Sequence, residues 1–196
     1  MPHWTGYQNA DEARPFELIR AGNSAAFEAV FRSYYPRLCR FAFRLVGSKP
    51  LAEEIVQNVF VRLWEKRNDG PPINSLKTYL YQAVKNQAIN HLKQEEKWTS
   101  IDGDLLETTP DFANPEQEIR QKEILDAVEE AIQLLPPRCR LIFTMHRFDG
   151  LSYAEIADVL GISRKTVETQ MGRALKSLRR LLIHHLPLLS IFSLSF

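Results

Sequence analysis

The chain has 196 residues, 44% hydrophobic and 25% charged, a balance ordinary for a globular protein and sufficient for one large or two small domains. Its two cysteines, Cys39 and Cys139, stand far apart and outside any CxxC pattern, which suits small buried residues in a reducing compartment. The formal net charge is only +1, yet the charge is unevenly placed, and that placement is more informative than the sum.

Residues 1–23 are a weakly acidic extension. Its opening, MPHWTGYQNADEARPF, has neither a basic n-region nor an apolar h-region and is not a signal peptide. From Ser24 the pattern turns helical, with Phe27, Phe31, Tyr34, Leu38, Phe41 and Leu45 recurring every three or four residues and arginines between them. Asn23 or Ser24 serves as the N-cap, while Gly47 and Pro50 close this helix and open the next. A second helix, about Leu51 to Lys66, places Ile55, Val56, Val59, Phe60, Leu63 and Trp64 inward and Glu53, Glu54, Gln57, Asn58 and Arg62 outward. After the loop NDGPPINS, a third helix runs from about Ser75 to Lys93, its apolar stripe comprising Leu76, Tyr79, Leu80, Ala83, Val84 and Ala88.

Residues 24–97 hold twelve bases against seven acids, whereas residues 98–119 hold six acids and no base. That polar, Gly- and Pro-punctuated stretch reads as an acidic interdomain linker, residues 98–116. Beyond it, residues 120–196 return to eleven bases against eight acids. A helix from about Pro115 to Leu135 ends at Pro136-Pro137, and another spans roughly Arg138 to Phe148. Nowhere is there an alternating β-branched run long enough for a sheet, so the expected fold is all-α: two small helical domains joined by the acidic linker.

The C-terminal block contains LSYAEIADVLGISRKTVETQMGRALKSLRRLL. Ser152 followed three residues later by Glu155 is a capping box. Ala157 is small where a second helix crosses, Gly161 can take positive φ in the turn, and Ser163 caps the helix that follows. Ile156, Leu160, Ile162, Val167 and Leu175 are the expected core. This is the spacing of a helix-turn-helix whose second helix lies in a major groove. Arg164, Lys165, Thr166, Glu168, Thr169, Gly172, Arg173 and Lys176 would form its reading face. Arg173 suits a guanine edge, Glu168 and Thr169 can reach bases, and Arg164, Lys165 and Lys176 suit phosphates.

Three stretches together carry a family resemblance: AFEAVFRSYYPRLCRFAFRLVGSKPLAEEIVQNVFVRLWEK, SLKTYLYQAVKNQAINHLK, and LLPPRCRLIFTMHRFDGLSYAEIADVLGISRKTVETQMGRALKSL. In their order and spacing the chain resembles the sigma-70 family, specifically its extracytoplasmic-function (ECF) group, over about residues 20 to 183. The resemblance implies a protein that binds core RNA polymerase and directs it to promoters. Residues 24–97 would be sigma domain two, contacting the polymerase and the −10 element; residues 117–183 would be domain four, reading the −35 element as duplex. It further implies that Glu54, Gln57, Asn58 and Arg62 face the polymerase, where acidic and amide groups complement a basic coiled coil. Asn58 departs from the acidic residue common at that position, leaving hydrogen bonding in place of charge. Lys77, Tyr81, Lys85, Asn86 and Lys93 fall where opened −10 DNA is held, Asn86 lining a pocket for a flipped base. Tyr79, on the apolar stripe, is expected in the core.

His146, His184 and His185 close no metal-ligand spacing, and no phosphate loop, nucleophile-base pair or paired carboxylates stand out. No enzyme, metal or cofactor is expected. The tail, residues 184–196, is apolar but too short to span a bilayer and is interrupted by Pro187; it suits packing on domain four or docking of an anti-sigma factor. A cytoplasmic location without membrane insertion is expected. The alternative reading is a helix-turn-helix regulator that binds duplex DNA without serving as a polymerase subunit.

Overall fold

The structure is a computed structural model, described here for residues 13–69, 73, 75–94 and 127–183. The N-terminal twelve residues, the acidic linker and the C-terminal tail expected above lie outside the described residues. The described residues are helical with no strand, as the patterning predicts. The chain divides into two compact units.

The first unit begins with α1, Ala13–Arg20, which buries Phe16 and Ile19. A turn through Gly22 (φ 81°) leads to Asn23, whose side-chain oxygen accepts from the Ala26 N–H at 3.0 Å and so caps α2, Ser24–Val46. Helix α2 continues through Pro36, which is exposed, and ends at Gly47, where φ of 70° lets the amide return to the Phe43 carbonyl. Its buried residues are Val30, Leu38, Phe41, Ala42, Leu45 and Val46; Phe27, Phe31 and Tyr34, from the same helical apolar pattern, are half-buried.

Helix α3, Lys49–Glu65, has Pro50 in its first turn, where a missing N–H costs nothing. It buries Ala52, Ile55, Val56, Val59, Phe60 and Leu63, while Trp64 stays half-buried. Phe27 meets Phe60 and Trp64 with ring centroids 6.0 and 5.1 Å apart, and Phe31 meets Phe60 at 4.8 Å. These tilted and edge-on contacts join α2 to α3 through aromatic area, each adding roughly 0.5–1.5 kcal/mol beyond burial itself. Ser75 caps α4, Leu76–Gln94, accepting from the Thr78 N–H at 3.2 Å. Leu76, Leu80, Tyr81, Val84, Ala88 and Leu92 turn inward from α4, with Tyr81 tilted on Phe41 at 5.0 Å.

In the second unit residues 127–133 are helical (α5); the rest of the helix expected from Pro115 lies outside the described residues. Pro136-Pro137 breaks the chain as predicted, and Pro137 becomes the first residue of α6, Pro137–Arg147. Then come α7, Tyr153–Leu160, and α8, Arg164–Leu181. Ala131, Ile132, Leu135 and Cys139 pack with Ala174 and Leu178 of α8, and Val128, Phe143, Leu181 and Leu182 border that core. The inner face of α8 is Val167, Met171, Ala174 and Leu178. Leu175, expected in this core, is instead 48% exposed. The reason is angular: 171, 174 and 178 repeat at helical spacing from Val167, and residue 175 falls to one side of that line.

Candidate nucleic-acid and partner interfaces

Helix α3 presents Glu54, Gln57, Asn58 and Arg62 on one exposed face, opposite its buried residues. Their spacing of three and four residues makes them neighbours. Gln57 Nε2 donates to the Tyr35 hydroxyl at 3.3 Å, and Tyr35 stacks on Phe31 with centroids 4.7 Å apart. Burial raises the Tyr35 phenol above its ordinary pKa, and the hydrogen bond from Gln57 opposes that rise. Val61 lies within this polar face and is 52% exposed. Sequence reasoning missed both Tyr35 and Val61. The i, i+4 step from Phe31 to Tyr35 was a usable signal, as was the step from Gln57 to Val61.

On α4 the structure sorts the expected site residues differently. Tyr79, Asn86 and Lys93, seven residues apart, are all exposed on one stripe. Tyr81 is fully buried against Phe41, and Tyr79 is 37% exposed. The expected roles of the two tyrosines are therefore reversed: Tyr81 is a core residue here, and Tyr79 is the accessible aromatic. Lys77 is half-buried, and so is Lys85, whose ammonium pKa burial pushes down.

The helix-turn-helix is built by local hydrogen bonds. Ser152 Oγ accepts from the Glu155 N–H at 3.2 Å while a Glu155 carboxylate oxygen accepts from the Ser152 N–H at 2.7 Å, completing the predicted capping box. Before α7, His146 Nδ1 lies 2.8 Å from the Leu151 carbonyl and its ring meets Tyr153 edge-on at 4.9 Å. Gly161 has φ of 71°, and the Ile162 amide donates back to the Ala157 carbonyl at 3.1 Å, the return bond of a glycine-closed helix end. Two residues on, Ser163 Oγ accepts from the Thr166 N–H at 3.0 Å and caps α8. Without these three fixed points the start of α8 would not be aimed.

Along α8, Arg164, Lys165, Thr169, Gly172, Arg173 and Lys176 are exposed, and Thr166 and Glu168 are half-buried. The Thr166 hydroxyl is engaged with Ser163 Oγ at 2.9 Å, and that of Thr169 donates to the Lys165 carbonyl at 2.9 Å. Glu168 lies 3.2 Å from Arg164 Nε and 4.0 Å from Lys165 Nζ, so its carboxylate sits between the two bases that open the helix. Behind this face Cys139 Sγ donates to Gln170 Oε1 at 3.0 Å and ties α6 to α8. Burial raises the Cys139 thiol pKa, with Arg173 opposing the rise, which keeps the thiol a proton donor. The outward surface is thus cationic and held by a separate apolar face, an arrangement that can engage a polyanion without disturbing the core.

Two family descriptions match the chain: "Sigma-70 region 2" over residues 30–99 and "Sigma-70, region 4" over residues 125–178. Between them they cover more than half of the sequence and include each of the three faces just described. Among curated proteins, the RNA polymerase sigma-H factor of Pseudomonas aeruginosa is 26% identical over 175 residues, covering 85% of this chain and 91% of that protein. The ECF RNA polymerase sigma factor SigW of Bacillus subtilis is 24% identical, covering 83% and 91%. The ECF RNA polymerase sigma-E factor of Escherichia coli K12 is 27% identical, covering 81% and 87%. Among solved structures, the sigma factor RpoE of Bartonella quintana, crystallised with the anti-sigma factor NepR, matches with a TM-score of 0.58 at 21% identity, covering 80% of this chain and 96% of that one. CnrH, solved with the cytosolic domain of CnrY, matches with a TM-score of 0.57 at 22% identity, covering 88% and 97%. The structural likeness is one of fold.

Proposed function

The chain belongs to the ECF group of the sigma-70 family, and from that premise we infer that it binds core RNA polymerase and directs promoter-specific initiation of transcription. The observation that carries this reading is that one chain matches both region 2 and region 4. A helix-turn-helix alone would name only a DNA binder. The protein is then a subunit that aims the polymerase and not an enzyme itself, and its place of work is the cytoplasm.

In this reading residues 24–97 are domain two and residues 117–183 domain four, with residues 98–116 linking them, 1–23 an N-terminal extension and 184–196 an apolar tail. The α3 face of Glu54, Gln57, Asn58 and Arg62 docks on the polymerase, with Val61 as an apolar centre inside a polar rim. Tyr35 fixes the Gln57 amide for that contact. On α4, Asn86 takes the flipped base of the −10 element, Tyr79 offers the ring for stacking, and Lys93, with Lys77 and Lys85 at the flanks, holds phosphates. On α8, Arg173 reads a base edge of the −35 element, while Arg164, Lys165 and Lys176 contact phosphates. Thr166 and Thr169 are tied to their own helix by their hydroxyls, and Glu168 moderates the charge of Arg164 and Lys165. The acidic linker suits a basic channel of the polymerase, where it would stand in for nucleic acid. An anti-sigma factor is a further partner, by analogy with the Bartonella quintana complex.

The test is reconstitution. Full-length protein added to core polymerase should confer initiation on a subset of a DNA fragment library, and core enzyme alone should not. A protein that binds duplex by itself but leaves core enzyme silent would be a helix-turn-helix regulator, and this reading would fall.

A further inference from the structure

Helix α8 contains a residue that its own fold does not require. Gly172 is mid-helix, in a continuous span from Arg164 to Leu181. Glycine there sacrifices backbone entropy and side-chain contact, so alanine is intrinsically preferred. The usual internal reasons for keeping it are a positive φ or a crowded neighbour. The other described glycines, Gly22, Gly47, Gly150 and Gly161, all have positive φ, and Gly172 does not. A Cβ built at Gly172 would meet nothing within 4 Å beyond the helix's own backbone. The protein would gain from a side chain here and has none.

Its position says what the gap faces. At 3.6 residues per turn, Gly172 lies on the stripe of Lys165, Thr169 and Lys176, across the helix from Ala174 and Val167. Those three neighbours are exposed, whereas Ala174 and Val167 are fully buried. Gly172 is therefore close to the middle of the cationic outward face, where bare backbone lies open between longer side chains. When a helix enters a major groove, the middle of its outward face meets the groove floor, from which long side chains such as Lys165 and Lys176 still reach the phosphate walls.

We propose that Gly172 is the point of closest approach between α8 and the promoter duplex, a specificity-determining position whose missing side chain admits the major-groove edge of a base pair against the helix backbone. This rests on the reading of α8 as the −35 helix. A methyl group at 172 stabilises the free protein and obstructs the complex, so fold and function respond with opposite signs. Neither a structural glycine nor a solvent-facing one behaves in that way.

The experiment compares full-length wild type, Gly172→Ala and Arg173→Ala, each reconstituted with core polymerase. The probes are a promoter fragment selected from random duplex by the wild-type holoenzyme and its single-base-pair variants across the −35 element. Gly172→Ala should raise the melting temperature of the free protein by about 2–5 °C and bind core normally. It should lose roughly tenfold or more in promoter affinity, with the loss varying with the base pair at one or two −35 positions. Unchanged affinity in Gly172→Ala while Arg173→Ala loses it overturns this inference alone. Unchanged affinity in both removes the −35 assignment of α8 and this inference with it. A lowered melting temperature shows that the fold itself needs the glycine, and an equal loss on every sequence places a phosphate there instead of a base edge; either result overturns the proposal.

Discussion

Replacing Glu168 with glutamine separates holding a charge from reading a base. The carboxylate lies 3.2 Å from Arg164 and 4.0 Å from Lys165, with Arg164 70% and Glu168 40% exposed by side chain. A solvent-screened i, i+4 pair of this kind contributes about 0.3–0.5 kcal/mol, and less in this order, with the base preceding the acid. Folding should hardly change, with a melting temperature within about 2 °C of wild type. Binding should change more, because on the proposed reading a negative charge leaves a surface that meets phosphates, and Arg164 is released. One additional effective phosphate contact steepens the dependence of log K on log salt by about 0.9, so the advantage of Glu168→Gln over wild type should shrink about eightfold per tenfold rise in salt. Fluorescence anisotropy of the reconstituted holoenzyme on promoter and non-promoter duplexes, over a salt series, measures both quantities. The expected outcome is tighter binding to both duplexes at low salt. A loss confined to one base pair with an unaltered salt slope would mean that Glu168 accepts from a cytosine amine, and the charge-moderating role would be wrong.

Arg173→Ala should relax preference at one −35 position by about 1–3 kcal/mol in a base-substitution binding scan; a uniform loss would reassign it to a phosphate. The two α4 tyrosines should diverge. Tyr81→Ala should destabilise the first unit by about 3–5 kcal/mol in denaturant titration, whereas Tyr79→Ala should leave stability nearly intact and weaken retention of opened −10 DNA in a permanganate footprint. Ser163→Ala removes the cap on α8 and should cost about 1 kcal/mol in urea unfolding of the second unit; no measurable change would mean that water replaces the hydroxyl. Burial raises both thiol pKa values, for Cys39 as for Cys139. Iodoacetamide labelling of the folded protein near neutral pH should therefore be slower than that of the unfolded chain. Because the folded pKa values lie above the unfolded ones, the neutral-thiol contribution to stability is fully present below the unfolded thiol pKa and fades as pH rises through the folded values.

What sequence reasoning captured best were features with purely local causes. Asn23, Gly47, Ser152 with Glu155, Gly161 and Ser163 all behave as their spacing suggests, because caps and turns are decided within a few residues. It failed where a distant partner decides. Tyr79 lies on the expected apolar stripe of α4 and Tyr81 outside it, yet Tyr81 is the one buried, its ring set against Phe41 from forty residues earlier. Leu175 is apolar at a position that helical spacing alone leaves near the boundary, and the core was already supplied by Met171, Ala174 and Leu178. The ion pairs of Glu168 follow from i, i+3 and i, i+4 spacing and were legible; treating every polar residue of the face as DNA-directed concealed them. Val61 escaped notice for the complementary reason, since a single valine among charged residues resembles core until the buried face is known.

The two sides of α8 answer to different selective demands. Val167, Met171, Ala174 and Leu178 answer to the domain, whereas the residues at 165, 169, 172, 173 and 176 contribute little to it. Substitutions on the second set can therefore accumulate with almost no penalty in folding. On the proposed −35 reading of that face, a duplicated gene of this type can drift toward a new set of promoters one residue at a time, each intermediate remaining a well-formed protein.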